Sequence, residues 1–232
     1  MVEHKACVVI FLNGVYDSSR TAFYIDAIRE AGQKVSVVAV DGALEFFDRL
    51  GILPDLIAGD LDSVSPETLA RYSDVAKRQF PKDKDFTDGE LAVRIAIGEG
   101  AGEIKLFGWE AAHGEVDHLF GNAFLLFLAQ DLGEEYGTND LTISLCSPGL
   151  EVQAVTDATL VLRGQVGDRL SVVPLTDRLE VKYRGCRFPL LAGSTVMSSF
   201  GETRTLRNEF CKTQVEVVIQ GKALVIHSYT AR

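Results

Sequence analysis

Apolar runs of strand length alternate with helix-length segments along the first 146 residues. The runs are rich in valine, isoleucine and leucine, as expected for strands buried on both faces. The predicted strands cover residues 7–13, 34–40, 55–59, 74–80, 103–108 and 141–146. The predicted helices cover about 20–31, 43–50, 66–72, 88–98 and 117–131. This alternation predicts a doubly wound, mostly parallel sheet with helices on both faces.

Two helix starts carry clear N-terminal signals. Ser65 precedes Pro66, which combines a capping side chain with a proline at the first helical position. Thr87 precedes Glu90 by three residues, the spacing of a capping box.

The pattern changes after Ser147-Pro148-Gly149. Short β-type runs follow at 151–156, 159–164, 168–175, 179–185, 214–220 and 223–229, with turn residues between them and no further helix pattern. Such spacing is typical of an all-β sandwich or barrel. The sequence therefore predicts an α/β domain over residues 1–147 and a C-terminal β-sandwich over residues 148–232.

Composition narrows the class of protein. The chain has 232 residues, 47% of them hydrophobic and 24% charged, with a net charge of −10. That charge argues against nucleic acid as a partner. The most apolar segment, residues 118–130, is too short to span a bilayer, so no membrane association is expected. Four scattered cysteines without a CxxC pair are typical of a reducing, cytoplasmic compartment.

Aspartates follow the predicted strands at the positions where a ligand would bind. Asp41 and Asp60 each end an apolar run, and Asp62 lies two residues further, on the same face if the backbone is extended. Asp85 and Asp88 directly precede a predicted helix. Carboxylates gathered in this way repel one another unless a hard cation binds them, and Mg²⁺ is the expected ion. The pattern favours an enzyme that handles phosphate.

Other readings of the same residues stay open. Aspartates often cap helices and turns without binding a metal. The segment GDLDSV at 59–64 also matches the DxDx[TV] signature of haloacid-dehalogenase-type phosphatases, although two strand–helix units precede it here.

No Walker-type phosphate loop is present in the sequence. Lys84, between acidic neighbours, is a candidate to neutralise a phosphate oxygen.

Taken together, the motifs resemble those of the thiamine pyrophosphokinases. The matching segments are DGA at 41–43, PDLIAGDLDS at 54–63, KDFTDGELA at 84–92, Asp117-His118 with Asn122, and RTLRNEF at 204–210. They occur in the family's order along nearly the whole chain. The resemblance implies transfer of the pyrophosphoryl group of ATP to thiamine, giving thiamine diphosphate and AMP, by a homodimer that uses Mg²⁺.

The resemblance also implies roles for individual residues. The implied Mg²⁺ ligands are Asp60, Asp62 and Asp88. The implied catalytic residues are Asp60, Asp62, Asp85 and Asp117, and either Asp85 or Asp117 is a candidate to orient the attacking hydroxyl. The implied nucleotide-binding residues are Asp41, Lys84, Thr87, Asp88, Asp117, His118 and Asn122. The implied residues of the acceptor site, in the β domain, are Phe188, Thr205, Arg207 and Asn208.

Two positions depart from the family pattern. Glu115, after His113-Gly114, stands where the family usually has an arginine, and Arg207 stands where it usually has a serine before the asparagine. These departures keep two alternatives open: a pyrophosphokinase for another small alcohol such as a hydroxymethylpterin, and a nucleotide-binding module without catalysis. The DLDSV segment at 60–64 keeps open a third, a Mg-dependent phosphohydrolase.

Overall fold

The computed structural model describes residues 6–30, 35–110, 115–137, 141–189 and 194–230. The chain divides into two compact units, Met1–Pro148 and Gly149–Arg232. No helix among the described residues is both long and apolar enough to cross a membrane.

The first unit is built around a parallel sheet. Its strands are β1 (Ala6–Phe11), β2 (Val35–Val40), β3 (Leu56–Gly59), β4 (Ala76–Gln79), β5 (Ala101–Phe107) and β6 (Thr142–Ser147). Their order is β6-β5-β1-β2-β3-β4, and every neighbouring pair is parallel. The edge strand β4 is exposed along its length, which explains its polar sequence, AKRQ.

Helices connect these strands. They are α1 (Thr21–Glu30), which follows a 3₁₀ turn at Ser18–Arg20, α2 (Ala43–Leu50), α3 (Pro66–Arg71), α4 (Asp88–Gly98) and α5 (Val116–Glu135). The two predicted caps are present: Ser65 Oγ accepts the Thr68 N–H, and Thr87 Oγ1 accepts the Glu90 N–H, each at 3.1 Å.

The two faces of the sheet are covered by different helices. On one face, Phe11 and Ile57 pack with Tyr24 of α1 and with Phe46 and Phe47 of α2. On the other, α4 packs across β5, β1, β2 and β3, and α5 packs against α4 and β6. Strands buried on both sides produce the near-continuous apolar runs of the sequence. The predicted doubly wound sheet is confirmed.

The second unit consists of antiparallel strands in two layers. One layer contains β7 (Leu150–Thr156), β14 (Lys222–Ser228), β9 (Arg169–Pro174) and the two-residue β12 (Asn208–Glu209). The other contains β8 (Thr159–Arg163), β13 (Gln214–Gln220), β10 (Leu179–Arg184) and β11 (Thr195–Ser198). Alternate side chains of both layers meet in one core that includes Leu170, Val181 and Val217. The predicted C-terminal β-sandwich is confirmed.

Candidate active site

The carboxyl ends of four parallel strands open into one cavity of about 260 Å³. Asn13 lies beyond β1, Asp41 beyond β2, Asp60 beyond β3 and Gly108 beyond β5, and all four residues line the cavity. Strands β1 and β5 are neighbours, yet the chain continues from β1 to β2 on one side and from β5 to β6 on the other. The cavity therefore lies at the switch point of the sheet, where doubly wound folds bind their ligands.

Asp41 is held at the end of β2 by an unusual backbone. Its φ is +50°, in the left-handed region, and its N–H donates to the Ala58 carbonyl at 2.8 Å. Gly59 makes this approach possible, because a Cβ there would lie 3.1 Å from the Asp41 Cβ. Residues other than glycine adopt positive φ at a cost, and such strain concentrates at functional sites.

Asp60 and Asp62 approach each other through a turn. The expected extended backbone is absent here, because Leu61 between them has a φ of +67°. The Asp62 N–H donates to Asp60 Oδ1 at 3.1 Å, an aspartate turn that replaces the strand. One carboxylate oxygen from each of Asp41, Asp60 and Asp62 lies within 4.8 Å of the other two, and these three aspartates form the acidic cluster.

The carboxylates of this cluster differ in how far hydrogen bonds and neighbouring positive charges stabilise them. Burial raises the pKa of Asp41 above its ordinary value; a hydrogen bond from Ser63 offsets part of the rise, and the charges of Asp60, Asp88 and Asp62 add to it. The pKa of the exposed Asp62 is lowered, because Lys82 hydrogen-bonds and pairs with it.

Lys84 lies between two of the carboxylates. Its Nζ is 3.5 Å from Asp60 Oδ2 and 3.1 Å from Asp88 Oδ2. Burial lowers the pKa of Lys84, but the hydrogen bond and charge of Asp88 and the charge of Asp60 outweigh burial, so the net shift of this pKa is upward.

Two buried carboxylate oxygens in this cavity have no hydrogen-bond partner among the described residues. They are Oδ1 of Asp41 and Oδ1 of Asp88. Buried polar atoms are nearly always paired, so an orphaned pair in one cavity indicates a ligand that carries positive charge. Carboxylate oxygens are the ligands that Mg²⁺ prefers. The residues therefore fit a Mg²⁺ site, although Asp88 is outside the group of three close carboxylates.

The first turns of α4 and α5 complete the cavity and form a second one beside it. Thr87, His118 and Asn122 line both, and the Asn122 Nδ2 donates to the Trp109 carbonyl at 3.0 Å. The second cavity, of about 370 Å³, is also lined by Asp117 and by the ring of Phe124.

Helix α5 begins earlier than predicted. Glu115 occupies its N-cap position without a capping hydrogen bond, and Asp117 lies in its first turn. The carboxylate of Asp117 still lies at the positive end of the helix dipole. Of the HGE segment, His113 and Gly114 lie outside the described residues, and Glu115 lines the first cavity.

Asp85 does not join the other predicted residues of the first unit. Asp85 is exposed and lines neither cavity, whereas Asp88, three residues further along the chain, lines the first cavity.

The remaining four predicted residues lie in the second unit. Three of them are close in sequence, and hydrogen bonds join the fourth, Phe188, to Asn208. Phe188 and Arg207 are exposed, and Arg207 has a φ of +60° with its N–H donating to Ser171 Oγ at 3.0 Å. Thr205 and Asn208 are buried. Thr205 Oγ1 donates to the Val172 carbonyl, and the Asn208 amide bonds the backbone of Phe188.

Sequence reasoning missed Asn13, Ser63 and Gly89, which line the first cavity. Asn13 carries the same signal as Asp41 and Asp60, a polar residue just beyond a buried strand, and that rule could have found it. Ser63 and Gly89 adjoin the recognised aspartates but have no distinct signal of their own.

Comparisons with known proteins point to one family. Residues 29–134 match the family model described as thiamin pyrophosphokinase, catalytic domain, and this span contains every residue of the acidic cluster. No match was found among curated protein sequences.

Solved structures share the fold along almost the whole chain. Thiamine pyrophosphokinase from Bacillus subtilis superimposes with a TM-score of 0.77 at 20% identity, covering 97% of this chain and 100% of that one. The enzyme from Geobacillus thermodenitrificans gives 0.73 at 24% identity, with 96% and 97% covered. Yeast thiamin pyrophosphokinase gives 0.71 at 15%, with 98% and 87% covered. Residues 29–134, which contain the acidic cluster, therefore match the catalytic domain of the thiamin pyrophosphokinase family, and the fold of these solved structures extends across both units.

Proposed function

We propose that this protein transfers the pyrophosphoryl group of ATP to the hydroxyl of thiamine, giving thiamine diphosphate and AMP. The observation that carries the proposal is the acidic cavity at the switch point, with two orphaned carboxylate oxygens, inside the matched catalytic domain. The comparisons support neither a pterin-specific enzyme nor a phosphohydrolase.

The metal side of the proposal rests on Asp60, Asp62 and Asp88, with Asp41 close by. Mg²⁺ held by these carboxylates would offset the charge on the triphosphate oxygens during transfer. The protein's own contribution is to hold the aspartates in place through the turn at Leu61 and the close approach at Gly59. Positioning and electrostatics of this kind supply most of the rate in phosphoryl transfer.

The nucleotide side rests on residues at the starts of α4 and α5. Gly89 lines the cavity in the first turn of α4, where backbone N–H groups lack helical partners and favour an anion. Thr87, His118 and Asn122 line both cavities and would contact the nucleotide across them. Lys84 adds a positive charge for a phosphate oxygen.

A carboxylate is proposed to orient the attacking hydroxyl. Of the two sequence candidates, Asp117 lines a cavity and Asp85 does not. We therefore assign this role to Asp117, where a hydrogen bond to the hydroxyl would aim it at phosphorus.

The acceptor side, the assembly and the compartment complete the proposal. Phe188, Thr205, Arg207 and Asn208 are proposed to form the thiamine site, an aromatic face being suited to a thiazolium cation. The homodimer is proposed from the resemblance, and sedimentation at micromolar concentration tests it. The cytoplasmic location is proposed from the four scattered cysteines of the sequence, none of them in a CxxC pair.

One assay tests the activity. The protein is incubated with Mg-ATP and, separately, thiamine, a hydroxymethylpterin and no acceptor, and AMP, ADP and inorganic phosphate are quantified. We expect AMP and thiamine diphosphate in equal amounts with thiamine alone. Inorganic phosphate without an acceptor would indicate a phosphohydrolase, and AMP formed only with the pterin would indicate the other acceptor.

A further inference from the structure

Lys84 is the most enclosed cation at the acidic cavity among the described residues. Its side chain is 13% exposed, and its Nζ bridges Asp60 and Asp88. Lys82 also contacts the cluster, through Asp62, but its side chain is 75% exposed. A charge removed from solvent acts more strongly on its neighbours than an exposed one.

We propose that Lys84 is an internal counter-cation. In the nucleotide-free protein it competes with the divalent cation for Asp60 and Asp88, and its ammonium group moves to the triphosphate when the nucleotide binds. The inference rests on the proposed function for the identity of the nucleotide. The competition itself concerns only this side chain and the carboxylates around it.

Geometry makes the two cations compete. A Mg²⁺ ion binds carboxylate oxygens at about 2.0–2.1 Å, so an ion on Asp60 would lie close to the ammonium that is already 3.5 Å from the same carboxylate. Two positive charges beside the same carboxylate repel each other, and solvent screens this repulsion poorly because Lys84 is largely buried. The ammonium must therefore withdraw, or the metal must bind weakly.

Lys84 does not satisfy the cavity by itself. Oδ1 of Asp41 and Oδ1 of Asp88 lack partners even with Lys84 in place. Asp41 is 8% exposed and its Oδ1 is itself buried, so contact with bulk water does not replace the missing partner. The site is therefore built for more positive charge than the lysine supplies.

The competition predicts coupling between the two ligands. With no nucleotide, Lys84 weakens binding of a divalent cation. A triphosphate offers the ammonium another anionic partner, which frees the carboxylates, so each ligand should strengthen the binding of the other by the same factor. The protein would then take up its metal mainly together with the nucleotide.

The experiment measures binding of Mn²⁺, as a probe of the Mg²⁺ site, by calorimetry and electron paramagnetic resonance in the absence of nucleotide. We expect Lys84→Met to bind Mn²⁺ about tenfold more tightly than the natural protein, within the usual range of coupling between sites. Adding a non-hydrolysable ATP analogue should tighten Mn²⁺ binding strongly in the natural protein and much less in Lys84→Met.

Three further variants isolate the cause. Lys222→Met removes one exposed charge from β14 and controls for net charge; Mn²⁺ binding should change by less than about twofold. Lys84→Arg keeps the charge and should keep weak binding. Lys84→Gln, which still has a donor for Asp88, is the second neutral variant should the methionine fail to fold, and circular dichroism checks each fold.

The outcomes separate this inference from the proposed activity. Equal Mn²⁺ affinity in the natural protein and both neutral variants would overturn it, as would tight binding by Lys84→Arg. Tighter binding by the neutral variants supports it even if no AMP is ever formed with thiamine, because the binding measurement needs no turnover.

Discussion

The side-chain amide of Asn208 forms two hydrogen bonds with the backbone of Phe188. Its Oδ1 accepts the Phe188 N–H at 3.0 Å, and its Nδ2 donates to the Phe188 carbonyl at 2.7 Å. Oδ1 also accepts the Glu209 N–H at 2.9 Å. Asn208 is buried, whereas Phe188 is 51% exposed. The buried amide thus fixes the backbone that carries an exposed aromatic ring, which makes Asn208 a positioning residue for Phe188.

Replacing Asn208 with alanine should raise KM for thiamine more than it lowers kcat. The change leaves the N–H and carbonyl of Phe188 without their partner, at a cost of about 1–3 kcal/mol in the free energy of unfolding. Chemical denaturation and steady-state kinetics measure the two effects. Asn208→Asp keeps an acceptor for the Phe188 N–H but turns a carboxylate oxygen toward the Phe188 carbonyl in a buried position, so at neutral pH it should be at least as destabilising as alanine.

A double-mutant cycle with Phe188→Ala separates positioning from direct contact. If Asn208 acts through the ring, its replacement should change KM little once the ring is gone. An undiminished effect of Asn208→Ala in the Phe188→Ala background would instead mean that Asn208 itself contacts thiamine.

Asp62→Asn should lower kcat by orders of magnitude while the protein stays folded. The substitution keeps the size of the side chain and removes a charge that the proposed Mg²⁺ needs. Little stability is at stake, because Asp62 is exposed and its ion pair is with the exposed Lys82. The measurement is AMP formation at saturating Mg-ATP, with circular dichroism to confirm the fold.

Asp83→Asn is the matched control for Asp62→Asn. Asp83 is an exposed aspartate next to Lys82 and lines neither cavity. It should keep nearly full activity. Comparable losses in both variants would argue that general charge, and no specific metal ligand, is responsible for the effect.

Much of the fold could be predicted because the parallel sheet is buried on both faces. The predicted strand at 34–40 is β2 (Val35–Val40), and the helices predicted at 43–50 and 88–98 have those bounds in the structure. Parallel strands also align their carboxyl ends, so Asp41 and Asp60 could be brought to one edge from sequence alone. Burial determines the apolar pattern and topology determines where the strands end, so both could be predicted from the sequence.

What sequence could not predict depends on individual dihedral angles and on very short elements. The positive φ of Leu61 turns Asp62 toward Asp60, and leucine carries no signal for such a conformation. β12 has two residues and β11 has four, too few to show a two-residue alternation. The bonds from Asn208 to Phe188 join residues 20 apart, which only the folded chain brings together.

Asp41→Asn should stabilise the metal-free protein at neutral pH while it reduces activity. The folded state raises the pKa of Asp41 above its ordinary 3.8, mainly through burial. Such a group favours folding when protonated, and this contribution is lost as pH rises through the folded pKa. At pH 7 the ionised carboxylate therefore opposes folding, and the neutral amide removes that penalty.

The pH dependence checks the sign of the Asp41 effect. The gain in the free energy of unfolding should be full at pH 7 and should shrink as pH falls toward 3.8, because natural Asp41 then becomes neutral as well. Urea denaturation at several pH values in the presence of a chelator measures it. A variant that is less stable than the natural protein at pH 7 would contradict the prediction.

Arg207→Ser tests whether the departure from the family pattern concerns the acceptor. Arg207 is exposed on a left-handed backbone, and among the described residues its guanidinium forms no ion pair. A nearby cation repels a cationic thiazolium, so the serine variant should lower KM for thiamine by a few-fold at low salt and by less at high salt. Arg204→Ser removes a neighbouring exposed arginine that is already paired with Glu202, and it should leave KM unchanged. If Arg207→Ser instead raises KM for ATP and leaves thiamine use alone, the guanidinium serves the phosphates, in place of the arginine that Glu115 replaces.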